Sequence, residues 1–173
     1  MFVLNLFLFI FFVSSFALSI YGLNMLLLTV LFLLSDRKRS YVDEPLKWPH
    51  VTVQLPVFNE LSVVTRLIEN VVKIDYPREC LSIQILDDSD DDTTELVMDL
   101  VRLYRQKGIN IECHHRPHRL GNKAGALAEG LIKSKGEYIA IFDADFVPRS
   151  DYLKKVIPYF NLEKIGMVQT RWG

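Results

Sequence analysis

Cysteine is scarce in this 173-residue chain, which has only Cys80 and Cys113. Two thiols cannot staple a small domain, so a disulfide framework is excluded and a reducing compartment suits them best. Charge of either sign is missing before Asp36, although the chain carries 20 basic and 21 acidic side chains. An excess of one sign is missing too. The formal net charge of -1, with 50% hydrophobic residues, excludes a disordered chain and argues against a nucleic-acid binder. No internal repeat or low-complexity tract interrupts the sequence. What remains is an uncharged apolar arm followed by a portion of ordinary soluble composition. That portion is large enough for one core, but small for an enzyme with separate donor and acceptor sites.

Residues 1–34 carry no charge and would make a helix of roughly 50 Å at ~1.5 Å per residue. A bilayer core needs ~30 Å, or about 20 residues. The surplus leaves room for tilt, an interfacial first segment, or a break near Ser14-Ser15 or Gly22-Leu23-Asn24 that would make two helices. Asp36-Arg37-Lys38-Arg39 follows, and basic residues at the end of a span mark its cytoplasmic side. The expectation is a transmembrane anchor over residues 1–35, with the remainder facing the cytoplasm. A cleaved signal peptide fits less well. No basic residue precedes the run, which continues to Leu34 past the small-residue site Ser15-Phe16-Ala17.

Residues 36–50 read as a linker, with Pro45 and Pro49 blocking regular structure. From residue 51 the patterning alternates. Val51–Val57 predicts a strand, and Leu61, Val64, Leu67, Ile68, Val71 and Val72 share one helix face. Leu81–Leu86 predicts a second strand, followed by a helix with Leu96, Val97, Leu100, Val101 and Tyr104 on its buried side. Ile109–Cys113 reads as a third strand. A helix marked by Ala124, Leu127, Ala128 and Leu131 comes next, then a strand over Tyr138–Phe142. Ser150 or Asp151 is available to cap a further helix, and Ile165–Gln169 reads as a last strand. Such alternation predicts a mostly parallel sheet covered by helices on both faces. Ligands bind such sheets at the carboxyl ends of the strands. There the sequence puts its polar clusters: Asn59-Glu60, Asp87-Asp88 and Asp143-Ala144-Asp145.

Residues two apart on a strand point to one side, so the carboxylates of Asp143 and Asp145 can converge. Two buried like charges cost several kcal/mol unless a cation lies between them. Mg²⁺ or Mn²⁺, completed by phosphate oxygens and water, answers that need. Lys123 opens a predicted helix whose free N–H groups attract anions, and with Arg116 and Arg119 upstream it could flank a diphosphate. No Walker loop is present. The acidic run Asp87–Asp92 is not a calcium loop, because Thr93 stands where that loop turns on glycine. Its Asp87 or Asp88 can instead accept hydrogen bonds from a base or ribose. Cys113-His114-His115 lacks a second Cys/His cluster to complete a zinc site.

Taken in order, five motifs carry a resemblance. They are Leu55-Pro-Val-Phe-Asn59-Glu60, Leu86-Asp-Asp-Ser89, the run from Arg116 through Arg119, Gly121, Lys123 and Gly125 to Leu127, Phe142-Asp-Ala-Asp145-Phe146, and Val168-Gln-Thr-Arg-Trp172. Residues 50–173 resemble the inverting family-2 nucleotide-sugar glycosyltransferases, in particular the membrane-bound cellulose-synthase-like and mannan-synthase-like branch. The resemblance implies a GT-A fold that holds a nucleoside diphosphate sugar, UDP-glucose or GDP-mannose, at the sheet's carboxyl edge. By position Pro56, Glu60 and Asp88 would contact the nucleoside, with Asp87 beside them. Lys123 and Arg119 would stand near the diphosphate. Asp143 and Asp145 would hold the metal that stabilises the leaving group, Asp145 more directly. The partners implied are the donor sugar, a glycan acceptor and the lipid bilayer, with no nucleic acid.

The sequence departs from that pattern downstream. The Thr-Glu-Asp-type motif carrying the family's general base does not follow Asp145, so no catalytic residue is assigned. Gln169-Thr170-Arg171-Trp172 is one residue too short for the family's Gln-x-x-Arg-Trp motif. The expectation is therefore a GT-A domain over 51–173 that holds the donor half of a longer enzyme. Two alternatives compete with it. One is a catalytically incomplete nucleotide-sugar-binding fragment. The other is a haloacid-dehalogenase-type phosphatase, whose Asp-x-Asp-x-Val nucleophile motif Asp143–Val147 matches but belongs on a first strand.

Overall fold

The computed structural model describes residues 1–34 and 44–170. The chain divides into two compact units, residues 1–41 and 42–173.

In the first unit a single helix, α1, runs from Phe2 to Leu34 without a break. Ser15 and Gly22 do not interrupt it. Two hydroxyls within it donate to the helix's own carbonyls, Ser19 to Ser15 and Thr29 to Met25, each at 2.8 Å. With no charge and 33 residues, α1 is long and apolar enough to cross a bilayer. The basic cluster Asp36–Arg39, from which the cytoplasmic orientation was expected, lies outside the described residues.

The second unit is built on four parallel strands: β1 (Val51–Val57), β2 (Leu81–Asp87), β3 (Ile111–His115) and β4 (Tyr138–Ile141). Their order is β3-β2-β1-β4, with Val51 level with Leu81 on one side and Tyr138 on the other. Helices α2 (Val64–Val71) and α3 (Thr93–Gln106) connect the first three strands, and α4 (Asn122–Lys133) carries the chain from β3 back past β1 to β4. A fifth helix, α5 (Tyr152–Val156), passes into a 3-10 turn over Ile157–Asn161.

The strands fix which helix goes where. Val53 and Leu55 of β1 and Ile83 and Ile85 of β2 are fully buried with Leu67, Ile68 and Val97 of α2 and α3. The alternate positions are polar: Gln54 donates to Gln84 at 3.1 Å, and Gln84 donates to Glu112 at 3.0 Å. That second face is covered by α4. Parallel connections are right-handed, so reversing the direction of strand addition must move the connecting helix to the opposite face. The reversal at β1 opens a crevice between the carboxyl ends of β1 and β4, where ligands bind in open α/β sheets.

Two expectations change. The third strand starts at Ile111 rather than Ile109, because Gly108 (φ 77°) and Ile109 still bond back to Arg105 and Tyr104 at the end of α3. At its other end the strand reaches His115, and the Arg116 N–H donates to the Asp87 carbonyl. The helix marked by Ala124, Leu127, Ala128 and Leu131 forms as α4, and the residues it buries are Ala126 and Gly130. A Cβ on Gly130 would come within 2.7 Å of the Gln54 amide and 2.8 Å of the Leu86 methyls, so only small residues let α4 sit that close to the sheet. Finally, residues 165–170 form no strand; they pair with none of the four described strands.

Candidate functional site

The tips of β1, β2 and β4 each bring polar residues to the crevice. After β1, Asn59 takes a left-handed conformation (φ 55°), which asparagine tolerates better than most residues. Its side chain and that of Asp90 are cross-linked: the Asn59 amide donates to Asp90 at 2.8 Å, and the Asp90 N–H donates back at 3.1 Å. The Asn59 N–H donates to the Ser89 hydroxyl at 2.9 Å. The loops after β1 and β2 are thereby fixed to one another.

A cleft of about 340 Å³ lies above these loops. Pro56, Glu60, Asp88, Arg119, Lys123, Asp143 and Asp145 all line it, together with Phe58 and Ala126. Seven of the eight residues that the family resemblance assigns to the site therefore share one cavity. The eighth, Asp87, does not line it. That carboxylate is fully buried beneath the loops, where it accepts bonds from the Ser89 N–H (3.1 Å) and the Thr94 hydroxyl (2.6 Å) and pairs with the His115 Nδ1 (3.0 Å). Adjacent strand residues point to opposite sides, so one of Asp87 and Asp88 had to turn inward.

Asp143 and Asp145 lie past the end of β4, on a turn closed by the Phe146 N–H donating to the Asp143 carbonyl. Phe142 and Ala144 are buried, with the Phe142 ring stacked on Phe146 at 5.5 Å and edge-on to Tyr152 at 5.1 Å. Anchoring the intervening residues aims both carboxylates outward. Both are exposed, which relieves the mutual repulsion expected of a buried pair. Lys123 pairs with Asp143 across the cleft. Two neighbouring carboxylates on an anchored turn, open to solvent, are the hard oxygen donors that Mg²⁺ or Mn²⁺ takes. Among the described residues no third His, Cys, Asp or Glu joins them. Phosphate oxygens and water are ligands that can complete the shell of such an ion.

The cations separate into two kinds. Arg119 is exposed and stacks its guanidinium over the Phe58 ring, 3.4 Å from the centroid. Arg116, expected from sequence beside a diphosphate, is instead buried outside the cleft. Its Nε and Nη2 donate to the two oxygens of Asp88 at 2.7 and 2.6 Å, and its Nη1 donates to Glu129 at 2.9 Å. The Asp88 carboxylate, with Glu129 assisting and burial opposing, holds the guanidinium pKa well above its ordinary value. Sequence shows that Arg116 is a cation. It does not show whether the counter-charge comes from the protein or from a ligand.

With that geometry in place, residues 52–172 match the sequence profile of Glycosyl transferase family 2. The chain belongs to glycosyltransferase family 2. Family membership displaces the phosphatase alternative. Two plant relatives are glucomannan 4-beta-mannosyltransferase 1 of Cyamopsis tetragonoloba, 39% identical over 146 residues, and glucomannan 4-beta-mannosyltransferase 9 of Arabidopsis thaliana, 39% identical over 154. Each match covers 79% of this chain but only 27% and 28% of the relatives, so the chain spans just over a quarter of their length. The mannosyltransferase PcManGT from Pyrobaculum calidifontis, solved in complex with GDP-Man and Mn²⁺, superposes with a TM-score of 0.66 at 28% identity, over 74% of this chain and 38% of that one. S. aureus TarS 1-349 in complex with UDP shares the fold, with a TM-score of 0.57 at 21% identity, covering 69% of this chain and 38% of its own. The four parallel strands and their helices are thus the GT-A arrangement that the motifs implied.

Proposed function

We propose that this family-2 chain binds the donor for a membrane-anchored mannosyltransferase, taking GDP-mannose and passing mannose to a glycan acceptor with inversion. The observation that carries the reading is the single cleft in which Glu60, Asp88, Arg119, Lys123, Asp143 and Asp145 meet. Carboxylates at the β1 and β2 tips suit the hydrogen-bond donors of a nucleoside. Cations at the start of α4 suit a diphosphate, because helix N–H groups and the dipole add to Arg119 and Lys123. Between UDP-glucose and GDP-mannose, the mannosyltransferase relatives and the GDP-Man complex favour the second.

In this proposal Pro56 and Glu60 flank the nucleoside with Asp88, while Asp87 supports the loop from below without touching it. Asp143 and Asp145 would hold Mg²⁺ or Mn²⁺, which when bound neutralises the charge that develops on the departing diphosphate. Lys123 and Arg119 place further positive charge where that diphosphate lies, and the Phe142–Phe146–Tyr152 cluster keeps the turn from drifting. The helix α1 would tether the domain to a bilayer, with the cleft on the cytoplasmic side.

Titration calorimetry on the detergent-solubilised full chain with Mn²⁺ tests the donor. GDP-mannose is expected to bind at least about tenfold more tightly than UDP-glucose, a difference of ~1.4 kcal/mol. Equal or tighter binding of UDP-glucose would contradict the choice of sugar. No binding of either would contradict the site.

A further inference from the structure

Arg116 uses every donor it has. Of the five N–H groups on a guanidinium, two go to Asp88 in a fork, one to Glu129, one to the Leu120 carbonyl at 3.2 Å and one to the Asn122 carbonyl at 3.1 Å. The backbone between Arg116 and α4 is wound around this group through two successive left-handed residues, Gly121 (φ 73°) and Asn122 (φ 50°). Such conformations persist only where their surroundings hold them. Gly125 completes the cradle: a Cβ there would meet the Leu120 carbonyl oxygen at 2.0 Å and the Arg116 Nη1 at 3.1 Å. The first turn of α4 can approach the guanidinium only because that side chain is missing.

We propose that Arg116 is a positioning residue that couples the two ends of the donor site, fixing Asp88 at the nucleoside end and the Arg119–Lys123 segment at the diphosphate end with one guanidinium. The inference rests on the donor-site reading above. A buried Arg–carboxylate cluster is poor evidence for stability alone, since apolar residues of similar volume often serve the fold as well. Its distinguishing property here is geometric. The fork sets the plane of the Asp88 carboxylate, and the same plane sets the carbonyls from which the α4 N-terminus starts. A lysine would keep the charge, but as a point on a flexible stem with three donors it cannot hold both.

Arg116→Lys in the full chain, titrated separately with GDP–Mn²⁺ and with inorganic pyrophosphate–Mn²⁺, is the test. The variant is expected to keep its far-ultraviolet spectrum yet to lose about tenfold or more in affinity for both probes. Pyrophosphate has no nucleoside, so unchanged pyrophosphate affinity in the folded variant overturns the coupling. Should Arg116→Lys fail to fold, Glu129→Ala removes one anchor from a half-exposed side chain, and a loss of about threefold or more on both probes is expected. No loss on either probe overturns the proposal. A wild-type chain that binds pyrophosphate–Mn²⁺ but gains nothing from the guanosine of GDP refutes the nucleoside reading, while the pyrophosphate arm still decides the role of Arg116 in the loop. A wild-type chain that binds neither refutes both.

Discussion

Cys113 illustrates how one buried carboxylate reaches beyond its own bonds. Burial first, and then the Asp87 carboxylate, push its thiol up to about 12, against a small opposing effect of Arg105. An unfolded thiol ionises near ~8.5, so as pH rises past that point the unfolded chain releases a proton that the folded chain retains. The contribution of Cys113 to stability is therefore complete below about pH 8.5 and is lost progressively between there and about 12. At pH 8.5 iodoacetamide is expected to modify Cys113 about 100-fold more slowly in the native chain than in urea, as read by peptide mass spectrometry. Equal rates would show that the thiol is not held in this environment. Position in the cleft was legible from sequence where a motif follows a strand tip, as with Asp88 and Asp145, or opens a helix, as with Lys123. It was not legible where two neighbours differ only in which way they turn, as with Asp87, or where a cation's partner is chosen by tertiary packing, as with Arg116.

Among the elements, β1 and β2 were readable because both are buried on at least one apolar face, with Val53, Leu55, Ile83 and Ile85 alternating toward α2 and α3. The helix α4 was readable as a helix, but its buried face was not. Its larger side chains, Leu131 and Ile132, are 59% and 85% exposed, while its contact with the sheet is made by Ala126 and Gly130. Periodicity of large apolar residues finds a helix's buried face only when the partner surface is apolar and far enough away, and here the partner is the polar Gln54–Gln84 row. Gly130→Ala weighs the two effects directly. The substitution gains ~1 kcal/mol of helix propensity. Forcing a methyl to 2.7 Å from the Gln54 amide and 2.8 Å from Leu86 costs ~1–3 kcal/mol. The packing cost wins, and a net loss of about 1 kcal/mol is expected in urea unfolding. A more stable variant would show that α4 can move away from the sheet at no cost.

For the whole molecule, the division into an apolar helix and a mixed α/β unit follows from where charge begins, at Asp36. The parallel sheet follows from the alternation of strands and helices. The reversal of strand order at β1 was not legible, since which strands become neighbours depends on pairings far apart in the chain, yet it is what opens the cleft at the tips of β1 and β4. This cleft is expected to take a divalent ion and a nucleoside diphosphate sugar together, with the ion on Asp143 and Asp145. Electron paramagnetic resonance of Mn²⁺ with the solubilised full chain measures that most directly. Adding GDP-mannose is expected to deplete the free-ion signal in the wild-type chain and to leave it unchanged with Asp145→Asn. An equal loss of free ion in both proteins, or in neither, would contradict the claim.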